Sequence, residues 1–220
     1  MEKIVIIGAS GHAKVIIDLV EKEGRYAIAG LLDMSRKPGD TVLGYPILGP
    51  EESLLDWQEP LGIVGGIIAI GDNWIRKKVV DKMRKLQANF RFVTAIHPDA
   101  SIGKEASFGE GTVVMAGAVV NPASKIGNFC ILNTRCSLDH DSAMGDFASL
   151  APGVTAGGNV SIGAYSAISL GANIIHGVSI GSHSVIGAGA TVLQDMPDYT
   201  VAYGVPAVVV RERQKGEKYL

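Results

Sequence analysis

The sequence predicts two folds in one chain: a small parallel α/β domain, then a three-sided parallel β-solenoid. Two observations carry this. From Ile96 to Val192 a core-type residue stands at every sixth position without a slip, through Ile102, Phe108, Val114, Val120, Ile126 and on to Ile186. A small or β-branched residue stands two positions before each, from Thr94 through Cys130 and Cys136 to Ala190. A short fixed period of this length marks a solenoid. Residues 1–92 follow a different grammar, in which apolar runs alternate with segments of helical period, and that alternation marks a parallel sheet.

In order, "KIVIIG" reads as a buried strand and "GHAKVIIDLVEKEG" as a helix that stops at Gly24. "YAIAGLLD" is a second strand, and "IVGGIIAIG" a later one despite its glycines. "DNWIRKKVVDKMRKL" opens on an Asp or Asn cap and carries apolar residues at helical spacing. Together these make a sheet about half the size of a full dinucleotide domain. "RFVTAIHP" leads into the repeat. The expected division is 1–92, 93–197 and a C-terminal extension, 198–220.

Each six-residue unit supplies one short strand and one corner. Glycine follows the core residue at Gly103, Gly109, Gly127, Gly145, Gly157, Gly163, Gly181 and Gly187, and Asn121, Asn133 and Asp139 take the same place. Either a side chain is crowded there or φ is positive. Three faces make an 18-residue coil, and rungs ~4.8 Å apart make a prism roughly 25–30 Å long. Burying each core residue contributes roughly 1.5–3 kcal/mol, most of it offset by backbone ordering. The period does not determine handedness; the usual crossover rule predicts right-handed coils. With no register break, no long loop leaves the prism. A ligand pocket is therefore expected in a groove between packed prisms, which implies an oligomer.

A net charge of −2 over 220 residues argues against nucleic-acid binding. Two cysteines and no secretory or membrane-length apolar run point to a reducing, cytoplasmic setting without membrane insertion. Cys130 and Cys136 both fall in the small-residue series, which packs them inside the prism and away from chemistry.

Coil arithmetic places the candidate chemistry. His140 and His176 lie two coils apart on one line, about 10 Å from each other, with Gly158 between them beside Gly157. That glycine pair leaves room for something long and thin, and the separation suits a single zinc poorly. His140 stands between Asp139 and Asp141, and alternation of strand side chains lets one of the two carboxylates reach its ring. Asn121 lies one coil below Asp139. An imidazole so held has the makings of a general base; an exposed corner residue is the equal alternative. His97 is assigned a structural role at the domain junction and His183 a surface one. In "GASGHAKV", Gly8 and Gly11 allow a tight turn that offers helix N-terminal amides to an anion such as a diphosphate. Position 10 is serine, so the pattern is not the dinucleotide fingerprint. Asp33 closes the second strand, where it can accept from a ribose or base. His12 either touches a phosphate or sugar or caps the helix entrance.

These stretches, with "IHPDASIG", "GAVVNPASKIG", "ILNTRCSLDHDSAMGDFASLAPG" and "YGVPAVVV", resemble the nucleotide-sugar acetyltransferases of the sialic acid and bacillosamine type. The resemblance covers essentially the whole chain. It implies a left-handed parallel β-helix of hexapeptide repeats behind a half-Rossmann-like domain. It also implies a homotrimer with active sites between adjacent subunits, and acetyl-CoA as donor. Residue by residue it makes His140 the general base and Asp141 its orienting acid, and puts Asn121 and Asn133 around the acceptor. Gly8, Ser10, Gly11 and His12 then receive the diphosphate, and Asp33 faces the nucleoside. Gly157, Gly158 and His176 mark the line of the pantetheine arm, and Gly204, Pro206 and Ala207 face the adenine end. The acceptor it implies is the 4-amino group of a UDP-linked 4-amino-4,6-dideoxy sugar.

Two positions depart from the family pattern. Ser149 stands where a second histidine is common, leaving one hydroxyl to meet the coenzyme or thioester carbonyl. Arg135 replaces a glycine, and its cation faces either the acceptor or the outside. The rival readings are a sugar O-acetyltransferase acting on sialic acid or another surface sugar, a metal-dependent hydratase, and a non-catalytic assembly protein.

Overall fold

The computed structural model describes residues 1–219, which divide into two compact units: Met1–Gly71 with Ile75–Ala95, and Asp72–Trp74 with the described residues from Ile96 onward. The first is an α/β unit. Its strands are β1 (Glu2–Ile7), β2 (Tyr26–Leu32), β3 (Thr41–Val42), β4 (Tyr45–Gly49) and β5 (Ile63–Ile68), in sheet order β3-β4-β2-β1-β5. β1 pairs in parallel with both β2 and β5, and β2 in parallel with β4. The unit also holds helices α1 (Gly11–Glu23), α2 (Leu54–Leu61) and α3 (Asn73–Leu86), with a short 3-10 helix, Glu51–Ser53, leading into α2. Helix α3 opens as its sequence predicts, the amide of Trp74 donating to Asp72 Oδ1 at 3.0 Å.

Ile4 to Ile7 of β1 are fully buried, and α1 buries Ala13, Ile16, Ile17, Leu19 and Val20 at helical spacing. Helix α1 ends at Gly24, which takes the left-handed conformation (φ 67°) and returns its amide to Val20. The glycines of β5 make room for the chain beyond α3. Phe92 bridges Gly66 in parallel, with Gly66 N donating to Arg91 O and Val93 N to Gly66 O. β3, β4 and α2 carry no periodic signal long enough to be read from sequence; α2 even contains Pro60.

The second unit is a left-handed parallel β-helix of hexapeptide repeats whose rungs are two-residue strands on three faces. Each rung pairs with those eighteen residues before and after it, as Val119–Val120 does with Ser101–Ile102 and Ser137–Leu138. Residues of the six-residue series from Val114 to Val192 and their small companions form one continuous core. The polar companions are not idle there. Thr112, Ser124, Ser142, Ser166 and Ser184 are buried, and each hydroxyl donates to a carbonyl of the next coil, at 2.6–3.3 Å. Cys130 occupies the same series, and its thiol reaches Gly145 O at 3.2 Å. Burial pushes the Cys136 thiol up to about 12, so it stays protonated.

The corner chemistry differs in one respect from the sequence expectation. Positive φ falls on the third residue after each core residue, from Glu105 (63°) through Asp141 (55°) to Gly189 (67°), not on the first. The glycines directly after core residues answer to crowding: a Cβ on Gly145 would meet Ala164 N at 2.6 Å. Left-handed residues other than glycine cost roughly 1–2 kcal/mol each. At one corner those residues are aromatic and form a column. Phe129, Phe147, Tyr165, His183 and Tyr199 stack with ring centroids 4.9, 5.3, 4.5 and 4.8 Å apart. Trp74 packs edge-on against Tyr165 and His183. The surface assignment of His183 is thereby corrected: it is buried in the column, and desolvation lowers its pKa.

Beyond the last rung, Thr200–Gly204 continues one face beside Val185–Ile186, and Ala207–Glu212 folds back antiparallel to it. Among the described residues no helix is long and apolar enough to cross a membrane.

Candidate active site

His140 sits at a corner of the prism with its ring half exposed (53%). Its backbone is tied on both sides. The amide donates to Asp139 Oδ1 at 2.8 Å, and the carbonyl accepts from the amide of Asn159 at 2.9 Å. Asp139 is held in turn by Asn121, whose Nδ2 donates to the same oxygen at 2.5 Å. This is the pair placed one coil apart by the repeat. The Asn121 bond and the His140 amide keep the Asp139 carboxyl below its ordinary range.

Of the two flanking carboxylates, Asp141 reaches the ring: its Oδ2 lies 2.8 Å from His140 Nδ1. An ionised carboxylate can only accept, so Nδ1 carries the proton and Nε2 the basic lone pair. The Asp141 hydrogen bond, and after it the charge of Asp139, raise the imidazole pKa. Asp141 makes this contact from its left-handed corner. The ring lies over Gly158, where a Cβ would stand 2.6 Å from Nε2. The open channel expected at Gly157 and Gly158 is thus corrected: His140 fills the space at Gly158, and the next coil's His176 amide crowds Gly157.

The α/β unit holds a cleft of about 310 Å³ at the carboxyl ends of β1, β2 and β5, where strand order reverses and parallel sheets bind ligands. Gly8, Ser10, Asp33, Ser35 and Glu51 line one part; Ile70, Ile75 and Val79 supply an apolar wall. Gly8 has φ 105°, and a Cβ there would press on Ala69 O at 2.9 Å, so glycine is required twice over. Ser10 caps α1 without a side-chain bond, leaving first-turn amides available. Asp33 ties the turn to β2: its Oδ2 accepts from Ala9 N at 2.7 Å and its Oδ1 from the amide and hydroxyl of Ser35. Burial pushes this carboxyl up, but those hydrogen bonds outweigh burial and hold it below its usual value.

Residues 3–83 match the family model described as the PglD N-terminal domain. A His-to-Asn variant of perosamine N-acetyltransferase from Caulobacter crescentus, solved with CoA and GDP-perosamine, is 37% identical. That match covers 96% of this chain and 98% of that one with a TM-score of 0.89. The acetyltransferase domain of PglB from Neisseria gonorrhoeae FA1090, in complex with acetyl coenzyme A, is 36% identical over 95% and 99% with a TM-score of 0.87. UDP-N-acetylbacillosamine N-acetyltransferase of Bacillus subtilis (strain 168) is 33% identical over 116 residues, which span 53% of this chain and 52% of that protein.

The chain belongs to the hexapeptide-repeat nucleotide-sugar N-acetyltransferases.

Acetyl-CoA is the donor of this N-acetyltransferase. The enzyme's remaining site residues fall unevenly. Gly11 and His12 do not line the cleft. Gly11 has open space where a Cβ would be, so the turn does not need it. Burial and then Arg76 push His12 down to about 4, and its buried Nε2 has no partner. It is a neutral ring packed inward rather than a cation for phosphate. Asn133 turns back on its own corner, accepting from Thr134 N at 2.8 Å. Ser149 is half buried in a rung between Ile131 and Ala167. Arg135 is exposed and left-handed (φ 57°). Of the three C-terminal residues, Gly204 and Pro206 are exposed, but Ala207 is buried in the core and offers no side chain to a ligand. His97 is buried, its Nδ1 accepting from Asp99 N at 3.0 Å. Sequence reasoning missed Glu51 altogether. Its signal was "YPILGPEE", a third strand-and-turn leading to the same edge of the sheet.

Proposed function

We propose that the enzyme acetylates the 4-amino group of a nucleotide-linked 4-amino-4,6-dideoxy sugar by direct attack, with His140 as general base. The observation that carries this is the half-exposed His140 ring with Nδ1 held 2.8 Å from Asp141. The amine nitrogen forms its bond to the acetyl carbon as the carbon–sulfur bond breaks. His140 Nε2 takes the amine proton and passes it to the departing thiolate, while Asp141 stabilises the imidazolium. A prism amide or the Ser149 hydroxyl meets the developing oxyanion.

The diphosphate of the acceptor binds beside the Gly8–Ser10 turn, where the first-turn amides and the dipole of α1 favour an anion. The carrier implied by the family resemblance is UDP, and the B. subtilis relative is named for a UDP sugar; the C. crescentus structure holds GDP-perosamine. The working assembly is a homotrimer, with the adenine end of the coenzyme near Gly204 and Pro206. His140→Ala should lower kcat by roughly 10²–10⁴-fold with acetyl-CoA affinity retained. Activity within a few-fold of the parent would remove His140 from the base's role.

A further inference from the structure

The last described residues, Arg213–Tyr219, run as a strap beside the aromatic column. Arg213 is buried; its amide donates to Tyr199 O at 2.7 Å and its guanidinium to His183 O at 3.0 Å. The same guanidinium donates to Glu217 O and lies 5.6 Å from the centroid of the Tyr219 ring. Lys215 Nζ stands 5.2 Å over the ring of Trp74, and Gly216 passes so close to Trp74 that a Cβ there would strike Nε1. The Tyr219 hydroxyl accepts from the amide of Asn73 at 3.0 Å. All of these partners belong to the second unit, Asp72–Trp74 included.

One ring under this strap can change its charge near neutral pH. The column is otherwise phenylalanine and tyrosine, and His183 is stacked between Tyr165 and Tyr199 with Trp74 against its edge. A neutral imidazole stacks there as another aromatic ring. An imidazolium would lose solvent and stand beside two cations from the strap, Lys215 and Arg213, with Asp198 as the facing carboxylate. Asp198 is already engaged by the amide of Ser182. Around Arg213 the further charged groups are Glu217, Arg211 and Asp72. Burial first, then Lys215 and Arg213, hold the His183 pKa below the ordinary 6.5. A proton therefore binds more readily once the strap has left. Closure keeps its full strength above pH 6.5 and weakens as pH falls below it.

We propose that Arg213–Tyr219 is a pH-sensitive strap with His183 as its latch. It lies closed on the column while the imidazole is neutral and is released when the imidazole takes a proton. Release breaks the Arg213 bond to His183 O and the Tyr219 bond to Asn73, and uncovers Trp74.

Two measurements on the purified full chain test this. The first is limited trypsin cleavage after Lys215 between pH 8 and pH 5.5, read by mass spectrometry and divided at each pH by the rate for His183→Phe. Phenylalanine suits this left-handed corner, as Phe129 and Phe147 show in the same column. Asp198 and Glu217 titrate in both chains and cancel, as does the pH response of the protease. The rate of such cleavage follows the released fraction. The ratio should rise on acidification, by at most about tenfold at pH 5.5, the limit for a ring that titrates normally only in the released state. The second follows the His183 ring proton by NMR in the parent chain, where its titration midpoint should lie below the ordinary 6.5. A cleavage ratio that stays constant with pH overturns the latch, and so does a His183 midpoint at or above the ordinary value.

Discussion

The imidazole of His140 rests on residue 158, where glycine leaves Nε2 and Cε1 only 2.6 and 2.7 Å from the position a Cβ would take. The eighteen-residue register brings the two together. A methyl group there would not strain the prism, because the exposed ring can swing aside. Gly158→Ala should therefore keep its unfolding free energy within about 0.5 kcal/mol. It should nonetheless lower kcat by roughly 10²-fold through a displaced base. Steady-state kinetics beside urea unfolding checks both halves, and an unimpaired kcat would show that the seat of the ring does not matter.

The Asp141 contact makes a prediction about pH. The proposed mechanism needs neutral His140, and Asp141 and Asp139 raise its pKa above the ordinary 6.5. Activity in kcat/KM should fall as pH drops through that raised value and level off above it. Asp141→Asn removes the largest raising influence, so the acid limb should move to lower pH. The amide also no longer enforces a proton on Nδ1, and the plateau should drop by roughly 10²-fold. A limb that stays in place would sever Asp141 from the base.

Phe147 tests the aromatic column. It is stacked between Phe129 and Tyr165, nearly buried, and left-handed at φ 61°. Phe147→Ala should cost about 3–5 kcal/mol in urea unfolding. Phe147→Gly should cost roughly 1 kcal/mol less than the alanine variant, because glycine relieves the left-handed strain. The reverse order of the two variants would mean that the corner carries no such strain.

Much of this was legible because a six-residue period converts numbering into position. Asn121 and Asp139, eighteen apart, do hydrogen-bond, and Cys130 and Cys136 are packed inside. The period says which residues stack, not where the backbone turns left-handed, so the corners were read two residues early. The aromatic column was equally regular but lay off the core series, and His183 looked like surface without it. Gly158 looked like vacant space because a side chain from the coil below, His140, folds over it. Glu51 had no period to reveal it, since a short strand and a proline-containing helix leave only weak local signals.

The serine and threonine hydroxyls that bond one coil to the next, with the fixed rung pairing, also limit how such a chain can change in length. Inserting one residue after Asn159 would turn every later core side chain outward. Six inserted residues would restore the core but carry the last coils, with the Thr200–Glu212 hairpin, a third of a turn around the axis. Only eighteen would return each later residue to the line it occupies now. Growth of this prism is therefore quantised in whole coils wherever the placement of its last residues matters.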